Sequence, residues 1–143
     1  MDSTLYIVPC SQTKARTFEA APMPARDAYT GQAFRLARAH LERTKSKWCI
    51  LSGFYGFIWP STVIEYYDVK MEPVDEHTVW DECFELLTNR QYARLRTSER
   101  IVVLGSRLYA DAAAVLLERP VEAPLVGLPI GKMLSELSRA SFL

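Results

Sequence analysis

The chain has 143 residues, 49% of them hydrophobic, and its 17 basic and 17 acidic residues cancel to a formal net charge of zero. This length fits a single domain, 1–143, with a core that needs no disulfide or metal staple, and the apolar fraction excludes a disordered chain. No apolar run reaches the ~18 residues of a membrane span, and MDSTLYIVPC lacks the basic flank and apolar length of a secretory signal, so a cytoplasmic protein with no membrane partner is expected.

Cys10, Cys49 and Cys83 are odd in number and widely spaced, with no C-x-x-C pair, and His40 and His77 lie far apart in sequence. That spacing argues against a structural zinc site and for reduced thiols, so no metal and no cofactor is expected. Charge is unevenly spread. Residues 1–50 carry eight Lys/Arg against four Asp/Glu, and residues 61–90 carry two against eight. The two halves either line opposite sides of a cleft or form two solvated faces.

In chain order, Leu5–Val8 reads as the first strand. Its nearly continuous apolar character is that of a strand covered on both faces. Ala28–Arg43 has helical spacing, with Ala33, Phe34, Ala37 and Leu41 on one stripe. Trp48–Leu51 is the second strand. Residues 57–77, with Pro60, Pro73 and the run Val63-Ile64-Glu65-Tyr66-Tyr67-Asp68-Val69, read as an irregular insert laid across the sheet edge. Thr78–Leu87 is expected to be a helix capped by Thr78. Ile101–Leu104 is the third strand, Leu108–Leu117 an alanine-rich helix, Leu125–Leu128 a candidate fourth strand, and Ile130–Leu137 a closing helix. Alternating strands and helices predict an α/β fold: one domain, a mainly parallel three- to four-stranded sheet flanked by helices, Rossmann-like.

In such a fold ligands bind beyond the carboxyl ends of the strands. The first strand leads into Pro9-Cys10-Ser11-Gln12-Thr13-Lys14, the second into Ser52-Gly53-Phe54-Tyr55-Gly56, the third into Gly105-Ser106-Arg107-Leu108-Tyr109, and the fourth candidate into Gly127-Leu128-Pro129-Ile130-Gly131-Lys132. If the strands run parallel, these exits share one rim. Cys10 beside Lys14 suits a nucleophilic thiol near a cation, or equally a small core residue next to a solvated lysine. The first exit is no P-loop, since no glycine precedes Lys14, and the glycines around Phe54-Tyr55 have the wrong spacing for a dinucleotide fingerprint. Those glycines admit a ligand close to the backbone, and Phe54 and Tyr55 either stack on a planar base or pack inward. On an extended segment Glu65 and Tyr67 share one face, and Tyr66 and Asp68 the other. Such a carboxylate and phenol suit acid–base work or sugar hydroxyls, or else mark a blunted edge strand.

Taken in order, Pro9-Cys10-Ser11-x-x-Lys14, Ala25-Arg26-Asp27-Ala28-Tyr29-Thr30-Gly31, Ile50-Leu51-Ser52-Gly53-Phe54-Tyr55-Gly56-Phe57, Ile64-Glu65-Tyr66-Tyr67-Asp68, Gly105-x-x-x-Tyr109 and Pro124-Leu125-x-Gly127-Leu128-x-Ile130-Gly131 resemble a family of short bacterial, archaeal and phage domains of unknown function. That family is distantly similar to the peroxide-stress YaaA family and to the P-C-S-x-x-K domain of archaeosine synthase. Here Lys14 is followed by Ala15-Arg16-Thr17-Phe18, where the archaeosine synthase motif continues with serines and a histidine. The resemblance implies a role with nucleotides or nucleic acid.

The expected function is therefore an enzyme acting on a nucleobase or nucleoside, by base modification or N-glycosidic bond chemistry, with its site at the strand ends. The candidate catalytic residues are Cys10, Ser11, Lys14, Glu65 and Asp68. The candidate substrate-binding residues are Thr13, Arg26, Tyr29, Gly31, Ser52, Gly53, Tyr55, Gly56, Tyr67, Gly105, Tyr109 and Gly131. The expected partner is a nucleotide, nucleoside or nucleic acid. The alternative is a non-catalytic DNA-, RNA- or nucleotide-binding module, in which Lys14, Arg16, Arg35, Arg38, Arg43, Lys45 and Lys47 would meet phosphates. A third reading is a small subunit that docks a partner protein through Trp59, Tyr66, Tyr67 and Trp80.

Overall fold

A computed structural model describes residues 3–139. The elements in chain order are β1 (Thr4–Pro9), the two-residue β2 (Met23–Pro24), the single turn α1 (Ala25–Ala28), α2 (Gln32–Arg43), β3 (Lys47–Ser52), β4 (Gly56–Ile58) and β5 (Val63–Ile64). A 3-10 turn (Asp81–Phe84), α3 (Asn89–Thr97), β6 (Arg100–Val103), α4 (Arg107–Leu117) and α5 (Ile130–Arg139) follow.

Four strands form the main sheet in the order β4-β3-β1-β6. β1 pairs in parallel with β3 (Tyr6 opposite Trp48, Val8 opposite Ile50) and with β6 (Leu5 opposite Ile101, Ile7 opposite Val103). β4 turns back antiparallel along β3, and β2 and β5 make a separate antiparallel pair. The continuous apolar runs have the reason expected of them: both faces of the sheet are covered. Tyr6, Val8, Trp48, Ile50, Val102 and Leu104 face a core shared with α2 residues Phe34, Ala37 and Leu41 and with Leu137 of α5. Leu5, Ile7, Cys49, Leu51, Ile101 and Val103 face the opposite core, shared with Leu95 of α3 and the alanine-rich face of α4. The arrangement is a three-layer α/β sandwich, mainly parallel, as the alternation of elements predicts.

Several elements differ from the sequence reading. Leu125–Leu128 is a turn, with Val126 N–H bonded to Ala123 C=O and Leu128 N–H to Leu125 C=O. Pro124 and Pro129 remove donors on either side and Gly127 takes φ +88, so no ladder can propagate through it. Three residues before it, Glu122 makes a single parallel bridge to Val102. The fourth strand is instead β4, drawn from the start of the irregular insert. The expected helix at Thr78–Leu87 shrinks to the 3-10 turn, and the real helix, α3, begins after Thr88. There the Thr88 side chain accepts from Gln91 N–H while the Gln91 side chain accepts from Thr88 N–H, a capping box. The helix expected over Ala28–Arg43 is broken at Tyr29–Gly31, because Tyr29 is extended (φ −103, ψ 127) and Thr30 N–H bonds back to Thr13 C=O.

The free edge of β4 is covered by the 3-10 turn, where Phe57 stacks on Phe84 with ring centroids 5.4 Å apart. At Gly56, φ is +75 and a side chain would run into the Cys83 backbone, so only glycine fits. Among the described residues, no helix is long and apolar enough to cross a membrane.

Two substitutions rank these features. Gly56→Ala should destabilise by about 1–3 kcal/mol, through the positive φ and the clash with Cys83. Thr88→Ala should cost about 1 kcal/mol through the lost cap. Urea unfolding followed by circular dichroism measures both, and an alanine at 56 less disruptive than one at 88 would contradict the packing described.

Candidate functional site

The strand order places the ends of three parallel strands on one rim. The chain leaves β1 toward β3 on one side, and β6 is added on the other. The order therefore reverses between β1 and β6, and that is where open α/β sheets leave a crevice. The two strand ends stay tied beyond the ladder by Leu104 N–H donating to Ile7 C=O at 2.9 Å. Gly105, just after β6, lies so close to the Pro9 ring that a side chain there would collide with it.

A cavity of about 410 Å³ opens at this reversal. Val8, Pro9, Cys10 and Ser11 at the end of β1 form one wall, and Leu104, Gly105, Ser106 and Tyr109 another. The start of α2 (Gly31–Phe34) and Ile130, Met133 and Leu134 of α5 close it. The cavity is mainly apolar, and no charged residue lines it. The N-caps of α2 and α4, Gly31 and Ser106, make no side-chain cap, so both helices begin at this wall with only backbone at their tips.

A smaller cavity of about 220 Å³ lies on the other side of the first loop, lined by Gln12, Lys14, Asp68, Val69, Lys70 and Met71. Cys10, Ser11 and Tyr109 line both spaces and form the partition between them. The Cys10 thiol lies 3.6 Å from the Tyr109 hydroxyl.

The loop that carries these groups is held from several directions. Cys10 N–H donates to Leu51 C=O at 3.1 Å. Ser11 Oγ donates to Thr13 C=O at 2.6 Å and accepts from Gly31 N–H at 3.1 Å, which fastens the loop to the start of α2. A Cβ on Gly31 would stand 2.7 Å from Ser11 Cβ, so the glycine is required by this approach. Lys14 Nζ donates to Gln12 C=O at 3.3 Å and sits 4.9 Å from the centre of the Tyr67 ring, a cation–π contact.

Beneath the loop runs a chain of hydroxyls. Tyr29 and Tyr67 share a hydrogen bond of 2.5 Å, and Ser52 Oγ donates to the Tyr67 hydroxyl at 2.8 Å. Ser52 Oγ in turn accepts the N–H groups of Phe54 and Tyr55, each at 3.1 Å. Burial first, with the neighbouring Cys10 thiol adding to it, pushes the phenols of Tyr29, Tyr67 and Tyr109 far above their ordinary range. At physiological pH all three are neutral.

Of the expected site residues, Cys10, Ser11, Lys14, Asp68, Gly31, Gly105 and Tyr109 come together around the two cavities. Tyr29, Ser52 and Tyr67 lie under them as the hydroxyl chain, and Thr13 contributes backbone to the loop. Others stand apart. The Glu65 side chain is exposed and lines neither cavity; its backbone N–H and C=O clasp the Tyr55 hydroxyl at 3.2 and 3.0 Å. Tyr55 is thus engaged away from a stacking role, and it is Phe54 that lies stacked on Tyr67, with centroids 5.3 Å apart. Arg26 lines a separate shallow pocket with Glu42, Trp48 and Trp59. Gly53 packs against the Met71 backbone, Gly56 against Cys83, and Gly131 faces open space. Among the thiols, Cys49 is fully buried in the sheet and Cys83 is half-buried, and burial raises both pKa values. Among the described residues, no cluster of His, Cys, Asp or Glu gathers that could hold a metal ion.

The basic residues do not share one face. Lys14 is at the rim, while Arg43, Lys45 and Lys47 sit near the start of β3, at the opposite end of the sheet. Arg38 is bound to Asp27 and Glu42, each at 3.1 Å. Residues the sequence reading did not single out are Gln32, Phe34, Met133 and Leu134 in the large cavity and Lys70 and Met71 in the small one. The large cavity's extra residues lie in the first turns of α2 and α5, just after Gly31 and Pro129, a signal in principle. Lys70 and Met71 carry none, because an irregular segment brings them back over the rim.

The neutral phenols predict a pH dependence. An unfolded tyrosine ionises near pH 10. The three buried ones do so only above that, so the folded state binds more protons at alkaline pH. Their stabilising contribution is complete below pH ~10 and is lost as pH rises beyond it. An ultraviolet phenolate titration of the native protein should leave at least Tyr29, Tyr67 and Tyr109 unionised until the protein unfolds. Seven ordinary titrations on a folded protein would contradict the burial described.

No curated protein and no solved structure matches the chain. A family model does, over residues 5–139, nearly the whole length, and the chain belongs to that family of unknown function, DUF6884.

Proposed function

We propose that the protein is an enzyme acting on a nucleobase or nucleoside, free or within a nucleic acid, by base modification or N-glycosidic bond chemistry. The observation that carries this reading is the partition: a thiol and a neutral phenol, Cys10 and Tyr109, stand between an uncharged cavity large enough for a planar ring and a charged cavity holding Lys14 and Asp68. A volume of about 410 Å³ is within the range of ligand sites, and its position at the strand-order reversal is where such folds bind nucleotides. The resemblance read from Pro9-Cys10-Ser11-x-x-Lys14, distant both to the peroxide-stress YaaA family and to the P-C-S-x-x-K domain of archaeosine synthase, motivates the link to nucleic acid.

The roles follow from position. Cys10 is the nucleophile. Its thiol proton passes to the Asp68 carboxylate across the small cavity, and its sulfur adds to an electrophilic carbon of the base or to the anomeric carbon. In the glycosidic case the carbon–nitrogen bond breaks with its electron pair going to the base, and Tyr109, whose hydroxyl lies 3.6 Å from the Cys10 thiol, gives that nitrogen a proton. Water then attacks the same carbon and gives a proton to the Tyr109 phenolate, while the carbon–sulfur bond breaks with its electron pair going to sulfur and the thiolate takes its proton back from Asp68. Lys14, held over Tyr67, faces an anionic part of the substrate. Glu65, whose side chain lines neither cavity, has no part in the reaction.

A thermal-shift screen with bases, nucleosides, nucleotides and short oligonucleotides should find a stabilising ligand. One present at 100 times its Kd stabilises by ~2.7 kcal/mol. With that ligand, mass spectrometry reads the product. Cys10→Ala should abolish turnover while leaving the thermal shift in place. Tyr109→Phe and Asp68→Asn should each lower kcat by roughly 10²–10⁴. Glu65→Gln should leave it unchanged. Full activity in Cys10→Ala, Tyr109→Phe and Asp68→Asn would remove these roles.

A further inference from the structure

The two cavities differ in charge, and the difference bears on what the substrate carries. Lys14, Asp68 and Lys70 line the smaller one, two ammonium groups against one carboxylate. The larger one is walled by Val8, Phe34, Leu104, Ile130, Met133 and Leu134, with no ionisable group other than the Cys10 thiol and the Tyr109 phenol. An ionised phosphate seated there would lose its water and meet only the partial positive charge of the two helix starts, with no cationic side chain, whereas the smaller cavity offers two ammonium groups. A neutral planar ring suffers no such loss, and the bare starts of α2 and α4 offer N–H groups to its carbonyl and ring nitrogens.

We infer that the substrate is a nucleotide unit rather than a neutral nucleoside, with its base in the larger cavity and its phosphate in the smaller one beside Lys14. This rests on the reading of the site as nucleobase-acting. The sugar then spans the partition, which sets the bond between base and sugar against Cys10 and Tyr109. Lys14 is prepared for the task. Its ammonium is held by Gln12 C=O and by the Tyr67 ring, and both leave it donors to spare. Tyr67 is itself fixed by Tyr29 and Ser52, so the cation is placed by a buried, hydrogen-bonded support rather than by a free side chain. The arrangement also departs from a stacking site on Phe54 and Tyr55: the base lies on the far side of the first loop from them.

The test compares each nucleoside with its 5′-monophosphate on the full chain, by calorimetry or thermal shift, with inorganic phosphate as a control. For the preferred base the monophosphate should bind at least ten-fold more tightly than the nucleoside. Lys14→Gln should erase that advantage while leaving nucleoside affinity as it was. Lys70→Gln, further out, should reduce it and serves in place of Lys14→Gln if that variant unfolds. Equal affinity of nucleoside and monophosphate would overturn the inference and leave the nucleobase reading standing. So would a phosphate advantage that survives both lysine variants, since the anion would then lie at the helix starts. If no base-containing compound binds, both fall. A short single strand binding more tightly than the monophosphate assigns the phosphate to nucleic acid, and equal binding assigns it to a free nucleotide. Either result carries the inference.

Discussion

β1 is hydrogen-bonded in parallel along both edges and covered on both faces, and the other elements take their places from it. A six-residue strand in this position must be apolar on alternate residues in both directions. Leu5 and Ile7 supply one core, Tyr6 and Val8 the other. With β3 on one side and β6 on the other, the strand order reverses at β1. The backbone there has neighbours on both sides below the rim but helices diverging above it. A crevice is the geometric consequence, and Pro9, which offers no N–H to extend the ladder, opens the chain into it.

Close packing at the crevice fixes which groups face it. Gly105 lets the end of β6 lie against Pro9, and Gly31 lets the start of α2 lie against Ser11. The first loop is then gripped from both sides, and Cys10 is presented at the partition. The phenols beneath are buried and hydrogen-bonded to one another and to Ser52. A low-dielectric setting strengthens such a network and penalises the phenolate. The result is a row of neutral donors beside a thiol, with the charge confined to the side where Lys14, Asp68 and Lys70 meet solvent.

Much of the frame was legible. The apolar runs at Leu5–Val8, Trp48–Leu51 and Ile101–Leu104 are strands within a residue or two, because burial on both faces leaves no other composition for them. Leu125–Leu128 has the same composition and is a turn, because flanking prolines and a positive φ at Gly127 outweigh hydrophobicity. The helix expected at Thr78–Leu87 yields to the one after Thr88, because Thr88 and Gln91 form a capping box and Thr78 caps no helix. Within the candidate site, Cys10, Ser11, Lys14, Gly105 and Tyr109 follow directly from the rule that strand ends share a rim. Glu65 and Asp68 could not be separated by sequence, since alternation places them on opposite faces without saying which face meets the ligand. In the fold Asp68 lines the smaller cavity, and the Glu65 backbone holds the Tyr55 hydroxyl.

The amino-acid sequence by itself determined the layers: which segments are buried on both faces, that they alternate with helices, and that polar loops follow each strand. Those properties are local, set by composition and by the conformations that proline and glycine allow. Only the tertiary structure decided that the first loop divides two cavities, that one is uncharged and the other not, and that Lys70 comes back to stand near Lys14. These are relations between residues far apart in the chain. The path of the irregular 65–80 segment brings them about, and that path has no periodicity of its own and takes its shape from the surface it covers.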